Sequence, residues 1–325
     1  MQIGSLSLSN NLILAPMAGI SDLPFRQLCR SMGAGLAVSE MVAANTALWG
    51  SNKSLRRLDF GGEPGPIAVQ IVGADPRQMA EAARYHADQG AALIDINMGC
   101  PAPKVCRREA GAALLRDEPL ATRIMRAVVA AVPLPVTVKL RTGWDPSQRN
   151  APRLARIAEA EGIQALTLHG RTRACGYSGH AESDTLRQIK EQVTIPLIAN
   201  GDIDSPHKAQ QVLRESGADG LMIGRAARGN PWIFPHIHHY LEHGTLLPPP
   251  TPAQISTLLR HHLEAIYRFY GEHSGVRIAR KHIAWYSTGQ EGSTAFRQTI
   301  NHSSSAVEQL RLVENYFAEQ EDQAA

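Results

Sequence analysis

Eight short apolar runs punctuate the first 225 residues: Leu12–Ala15, Leu36–Ser39, Ile67–Ile71, Ala92–Asn97, Val136–Leu140, Ala165–His169, Pro196–Asn200 and Gly220–Ile223. Most are rich in Ile, Val and Leu on both faces, the pattern of parallel strands covered on both sides. Their starts recur at intervals near one strand–helix unit of about 30 residues, with a longer gap between the fourth and fifth. The intervening segments carry helical spacing. Asp75-Pro76 reads as an N-cap followed by proline at the first helical position, with Met79, Ala82 and Ala83 on one face behind it. Asp204-Ser205-Pro206 opens a helix in the same way. Eight strands alternating with helices predict a (β/α)8 TIM barrel, with a doubly wound open sheet as the competing arrangement.

The pattern changes after residue 245. Pro248, Pro249 and Pro250 cannot continue a helix and form a stiff extended spacer. Thr251-Pro252-Ala253-Gln254 then reads as a capping box, and Ile255, Leu258, Leu259, Leu263, Ile266 and Tyr270 hold helical spacing. Ser305-Ala306-Val307-Glu308 is a second capping box, backed by Leu310, Val313 and Phe317. Two domains are predicted: a catalytic barrel over 1–245, and a bundle of three to five helices over 251–325.

Composition narrows the class. Apolar residues make up 43% of the chain, which excludes a disordered polymer and supports a large core. No apolar run approaches the ~20 residues that cross a bilayer, and Met1 to Asn10 lacks the pattern of a secretory signal. The four cysteines, Cys29, Cys100, Cys106 and Cys175, form no CxxC pair. A reduced cytoplasmic protein without a disulfide scaffold is expected. A net charge of +3 permits an anionic partner without requiring one.

In such a barrel, function collects at the carboxyl ends of the strands. The first strand ends in Ala15-Pro16-Met17-Ala18-Gly19, the third near Gln70 and the fourth in Asn97-Met98-Gly99-Cys100-Pro101. The fifth supplies Lys139-Leu140-Arg141, the sixth His169-Gly170-Arg171-Thr172-Arg173, the seventh Asn200-Gly201-Asp202 and the eighth Gly224-Arg225. One polar ending is ordinary turn chemistry; several in phase predict one shared site. Glycines let backbone N–H groups approach an anion, so Gly201, Gly224 and Arg225 read as a phosphate cradle at the loops where barrels often hold one. Lys139 ends an apolar strand and is costly there unless it meets an anion or reaches solvent. Gln70 suits the edge of a heteroaromatic ring or a satisfied core amide. Cys100 reads as a nucleophile, a proton donor or a structural thiol. His169 reads as a ring contact, an acid–base group or a structural histidine. No metal-ligand spacing occurs, so no metal is expected.

The basic residues cluster. Lys104, Arg107 and Arg108 follow the cysteine loop; Arg141, Arg171, Arg173, Arg225 and Arg228 follow later strands; Arg277, Arg280 and Lys281 stand together in the helical segment. If the top of the barrel and the helices face one another, these form a positive cleft for a nucleic-acid backbone. Taken singly, each cluster is an ordinary solvated face.

The ordered motifs Ala15-Pro16-Met17-Ala18-Gly19-Ile20-Ser21-Asp22, Asp95-Ile96-Asn97-Met98-Gly99-Cys100-Pro101, Lys139-Leu140-Arg141-Thr142-Gly143-Trp144, His169-Gly170-Arg171-Thr172-Arg173, Ile198-Ala199-Asn200-Gly201-Asp202 and Met222-Ile223-Gly224-Arg225 resemble the tRNA-dihydrouridine synthases, closest to their bacterial B type. The resemblance covers nearly the whole chain, including Arg277-Ile278-Ala279-Arg280-Lys281-His282. It implies tightly bound FMN, reduced by NADPH as a transient reductant, and reduction of the uridine C5–C6 double bond in the D-loop and elbow region of tRNA. It implies that Pro16, Met17, Ala18, Gln70, Lys139, His169, Asn200, Gly201, Asp202, Gly224 and Arg225 hold FMN, with Lys139 stabilising the anionic reduced flavin. Cys100 becomes the proton donor to C5, a role that a depressed thiol pKa would hinder. Asn97 and Arg141 become contacts to the uracil, and Arg171, Arg173, Arg277, Arg280 and Lys281 contacts to the RNA. The B-type likeness points to position 17; a monomer is expected. The alternatives are a flavin barrel acting on a small molecule, which leaves the basic helical segment idle, and a non-enzymatic RNA-binding barrel, which leaves Cys100 and Lys139 unexplained.

Overall fold

A computed structural model describes residues 1–50 and 52–324; residue 325, the last of the expected helical domain, lies outside that range. The apolar runs form one parallel sheet because each presents hydrophobic side chains to both of its faces. Its strands are β1 (Leu12–Leu14), β2 in two pieces (Leu36–Ala37 and Val42–Ala43), β3 (Ala68–Val72), β4 (Leu93–Met98), β5 (Val136–Arg141), β6 (Ala165–His169), β7 (Leu197–Asn200) and β8 (Gly220–Ile223). Each pairs in parallel with its sequence neighbour, and β8 pairs with β1. The two pieces of β2 stand at the ends of the sheet order, and Val38 between them bridges Ala68 of β3, which closes the ring. The sheet is therefore a TIM barrel rather than an open doubly wound sheet.

Two features differ from the sequence expectation. The second strand was expected to run unbroken over Leu36–Ser39. It breaks after Ala37 because Ser39 turns its hydroxyl to accept from the Gln70 N–H at 3.1 Å, while Glu40 accepts from the backbone of Gly19. A short antiparallel ribbon, Gln2–Ile3 with Leu6–Ser7, also went unanticipated. It places Ile3 and Leu8 against Ile13, Leu36, Leu93 and Ile198, capping the amino-terminal end of the barrel with an apolar plug.

Helices surround the sheet: α1 (Leu23–Ser31), α2 (Asn52–Leu58), α3 (Pro76–Asp88), α4 (Pro103–Cys106), α5 (Glu118–Val129), α6 (Ala151–Ala160), α7 (Asp184–Lys190), α8 (Pro206–Ser216) and α9 (Ile233–His243). The anticipated starts hold: Asp75 caps α3 and Ser205 caps α8, each with proline in the first turn. The long gap between β4 and β5 contains α4, a 3₁₀ turn and α5.

After the proline spacer come α10 (Pro252–Tyr270), α11 (Glu272–Tyr286), α12 (Ser293–His302) and α13 (Ala306–Ala324). Thr251 and Gln254 form the reciprocal capping box. At the second box Ser305 accepts from the Glu308 N–H, but the Glu308 carboxylate reaches back to Ser304, one residue earlier than the motif implies. Leu259, Leu263, Ile266, Ile283, Phe296, Val313 and Phe317 share an apolar cluster of their own. The bundle docks on α1 through rings: Phe25 lies 5.7 Å from His262 and 5.9 Å from His282. Among the described residues no helix is long and apolar enough to cross a membrane.

Candidate active site

The period of two along a strand decides which side chains meet inside the barrel. Ile94, Ile96 and Met98 of β4 face the surrounding helices, so Leu93, Asp95 and Asn97 point inward. On β5 the same alternation turns Thr137, Lys139 and Arg141 inward. Register then stacks them in layers. Asp95 lies beside Gln70 and Thr137, Asn97 beside Lys139, and His169 beside both Arg141 and Asn200. The lower layer is apolar; the upper layers are polar and open into a cleft of about 940 Å³ at the carboxyl end of the strands. That is the upper end of the ~300–1,000 Å³ typical of small-molecule sites.

The cleft brings together Pro16, Met17, Ala18, Gln70, Asn97, Cys100, Lys139, Arg141, His169, Arg171, Asn200, Gly201, Asp202, Gly224 and Arg225. The ring order puts the end of β4, with Cys100, opposite the end of β8, with Gly224 and Arg225. Lys139 Nζ donates to Asn200 Oδ1 at 2.8 Å, and Asn200 Nδ2 donates to the Met222 carbonyl at 2.7 Å, so the lysine is held over the floor. Arg141 donates from Nε to the Gly99 carbonyl at 2.9 Å, and from Nη1 to the carbonyls of Thr172 at 3.0 Å and Gly176 at 2.8 Å. It thereby ties the cysteine loop to the loop after β6.

Gly201 has φ +124°, and a Cβ there would stand 2.6 Å from the Ala181 Cβ and 2.8 Å from the His169 ring, so only glycine fits. Asp202 is left-handed at φ 51°. Four donors offset that strain: both Nη groups of Arg171 at 2.9 and 2.6 Å, the Ala181 N–H at 2.9 Å and Arg225 at 3.2 Å.

The electrostatics are those of a buried cationic floor. Burial pushes Lys139 down to about 8, with Arg141 adding repulsion and Asp95 opposing both. Burial, then the charges of Lys139, Arg141, Arg171 and Arg225, hold His169 down to about 2, so its imidazole is neutral. Burial also raises the Cys100 thiol, which therefore keeps its proton at neutral pH. Burial works to raise Asp202, but the Arg171 hydrogen bond and charge hold it below the usual carboxylate range.

Arg228 and Lys208 also line the cleft, whereas other basic residues lie elsewhere. Arg173 does not line the cleft; its guanidinium stacks 4.3 Å from the Trp144 ring centroid. The grouped Arg277, Arg280 and Lys281 of α11 have different surroundings. Arg277 is exposed, Arg280 donates to the Ser303 carbonyl at 2.9 Å, and Lys281 donates to the Gly19 carbonyl of the loop after β1. At i, i+3 and i+4 of α11 the three share one side of the helix, and it is their partners that differ.

Several groups in the cleft or buried beneath it were given no role by the sequence reading. Asp95 and Thr137 sit two residues before Asn97 and Lys139, so the alternation was a usable signal. Tyr177 had none. It is 59% exposed, with Arg225 4.8 Å and Arg141 5.6 Å from its ring centroid.

The chain is similar to known proteins along almost its whole length. The family pattern "Dihydrouridine synthase (Dus)" matches residues 13–321. The tRNA-dihydrouridine synthase B of Xanthomonas campestris pv. campestris is 57% identical over 317 residues, 98% of this chain and 96% of that protein. The protein of that name from Vibrio cholerae is 54% identical over 317 residues, 98% of each. An old yellow enzyme homologue from Zymomonas mobilis has a TM-score of 0.53 at 16% identity, covering 76% of this chain and 92% of that one, and shares the barrel fold. On a family pattern running through barrel and helices alike, and relatives more than half identical along almost the whole length, the chain belongs to the dihydrouridine synthase family.

Proposed function

We propose that this protein reduces the C5–C6 double bond of D-loop uridines in tRNA, working as a cytoplasmic monomer with FMN in the cleft and NADPH as reductant. The observation that carries this reading is the placement of the Cys100 thiol on the wall of a basic cleft whose far side is the Gly201 and Gly224 turns. The donor set suits FMN. Arg225 and the glycine turns accommodate a phosphate, Lys139 and the neutral His169 offer polar contacts to a ring, and Pro16, Met17 and Ala18 offer an apolar edge.

Bound there, FMN charged by NADPH supplies the hydride that adds to uracil C6. The chain's own groups do the rest. Lys139 and Arg141 stabilise negative charge that develops on the pyrimidine. The Cys100 thiol gives its proton to C5, and the thiolate regains one from water. Asn97 orients the base. The uridine leaves its stack to enter the cleft, and the helices over 251–325 hold the folded RNA beside the barrel over 1–245. For RNA contact, Arg173 and the exposed Arg277, Lys104, Arg107 and Arg108 are basic side chains that do not line the cleft. The partners of Arg171 and Lys281 make them supports of the loops that frame it, whereas Arg280 supports the end of α12 through the Ser303 carbonyl. The target we infer is position 17, as the B-type resemblance of the sequence motifs implies.

The test is dihydrouridine mapping in tRNA from cells lacking this protein, with wild type or Cys100→Ala restored. Loss at one D-loop position, recovered by wild type and not by the variant, is expected. An unchanged dihydrouridine map overturns the proposal.

A further inference from the structure

Beneath the cleft floor lies a buried carboxylate to which the reaction above gives no task. Asp95 is 2% exposed. Its Oδ1 accepts from the Thr137 hydroxyl at 2.6 Å, and its Oδ2 accepts from Gln70 Nε2 at 2.6 Å. Gln70 is 1% exposed, and with its NH₂ turned down to Asp95 its oxygen faces Asn97, accepting from Asn97 Nδ2 at 2.7 Å. The Asn97 oxygen is thereby turned up towards the cysteine loop. It accepts the backbone N–H of Gly99 at 3.2 Å and of Cys100 at 2.9 Å.

An amide has one accepting end and one donating end, so fixing either end fixes the other. The chain from Asp95 to Cys100 consequently runs in one direction. Its lower end is an acceptor and its upper end is a pair of N–H donors that need an acceptor. Reversal of either amide sets the Asn97 NH₂ against the N–H groups of Gly99 and Cys100. Buried networks of this kind fail as a unit when one member is mismatched.

We propose that Asp95 is a positioning residue: through Gln70 and Asn97, its acceptor-only carboxylate sets the direction of the Asn97 amide and so holds the backbone turn that presents the Cys100 thiol to the cleft. The proposal deepens the reading of Cys100 as proton donor and rests on it for its catalytic meaning. The hydrogen-bonded chain itself stands independently of that reading.

The chain makes a specific statement about pairs of substitutions. Asp95→Asn alone keeps an acceptor towards Gln70 by turning its NH₂ to the Thr137 hydroxyl, which can accept. Thr137→Val alone leaves the carboxylate free to accept from Gln70. Together they leave the Asn NH₂ facing either a methyl group or Gln70, and the second choice reverses the whole chain. The experiment is the rate of iodoacetamide labelling at Cys100, read by peptide mass mapping on flavin-loaded protein, with dihydrouridine yield alongside. Each single variant should change labelling less than about twofold and the double variant should raise it about tenfold, a coupling of the size that contacting networks show. Yield should fall in the double variant while flavin content stays near wild type.

Additive effects, or unchanged labelling in a folded double variant, overturn the proposal, since a residue that merely packs gives no such coupling. If the double variant does not fold, Asp95→Ala is read instead. It removes the acceptor outright and must raise Cys100 labelling, and unchanged labelling there is equally fatal. A Cys100→Ala protein of full yield would sink the proton-donor reading, whereas the labelling result concerns the turn alone, so the two failures are separable.

Discussion

The Tyr270 hydroxyl donates a 2.8 Å hydrogen bond to Asp22 Oδ2 across 248 residues of chain. The other oxygen of the same carboxylate caps α1 through the Phe25 N–H at 3.1 Å. Burial raises the Asp22 carboxyl, while Phe25, Tyr270 and Lys281 pull it down. One buried carboxylate thus joins the last helices to the loop after β1, whose Pro16, Met17 and Ala18 line the cleft. Tyr270→Phe should lower the unfolding free energy by about 1.5–3 kcal/mol, the range for a hydrogen bond to a charged group. It should also speed hydrogen exchange at residues 19–21. Denaturant melts and exchange mass spectrometry read both, and a neutral substitution would mean the docking rests on the rings alone.

Cys100→Ala should retain flavin and oxidise NADPH near the wild-type rate. Dihydrouridine formation should fall by about 10²–10⁴, the usual worth of a positioned general acid. Single-turnover assays on unmodified tRNA separate the two half-reactions.

Lys139 titrates near 8 in the flavin-free protein because burial disfavours its charge. A lysine is cationic below its pKa, so its attraction for an anionic ligand is present at pH 7 and lost as pH rises through 8. Flavin affinity should weaken by about tenfold per pH unit above that point and level off once binding no longer requires the charge. Lys139→Met should bind more weakly at pH 7 and lack this dependence. Fluorescence titration of apoprotein with FMN from pH 6.5 to 9.5 decides it.

Gly201→Ala forces a Cβ into the His169 ring and the Ala181 methyl at a positive φ. We expect about 2 kcal/mol or more of destabilisation, together with loss of flavin, because strain at a special backbone position acts on the turn itself. Retention of flavin with an unchanged melting curve would contradict the cradle.

His262 and His282 meet at 4.7 Å between α10 and α11, and none of their ring nitrogens has a partner among the described residues. Burial holds His262 down to about 3 and His282 well below its usual value. The unfolded chain therefore takes up protons near pH 6.5 that the folded chain refuses. Stability is full above that pH and falls as pH drops towards 3, by about 1.4 kcal/mol per pH unit for each histidine. Urea melts between pH 4.5 and 7.5 should show this slope, and it should flatten in His262→Met/His282→Met. A slope unchanged by the double substitution would place the acid sensitivity elsewhere.

Much of this was legible in the chain before folding. The strand at Ala165–His169 and the one at Gly220–Ile223 were read to the residue, because apolar runs between glycine and polar turns leave little choice. The cleft groups were legible because they follow strands, and a barrel brings strand ends together. Asp95 was harder to read. It lies inside a run whose neighbours are Ile94 and Ile96, and its partners Gln70 and Thr137 are 25 and 42 residues away. The break in β2 was hidden for the same reason: Ser39 leaves the strand to meet Gln70, 31 residues on.

By itself the order of residues determined the elements, the barrel and the identity of the groups at its mouth, since these follow from local periodicity, caps and proline. Only the closed structure decided which of those groups stay charged, which amide faces which, and which arginines are already engaged. Those properties depend on burial and on partners distant in sequence. The three basic residues near 280 show the difference. At i, i+3 and i+4 they share one side of α11, yet the elements packed against it leave Arg277 exposed to solvent, join Arg280 to the Ser303 carbonyl at the end of α12 and join Lys281 to the barrel.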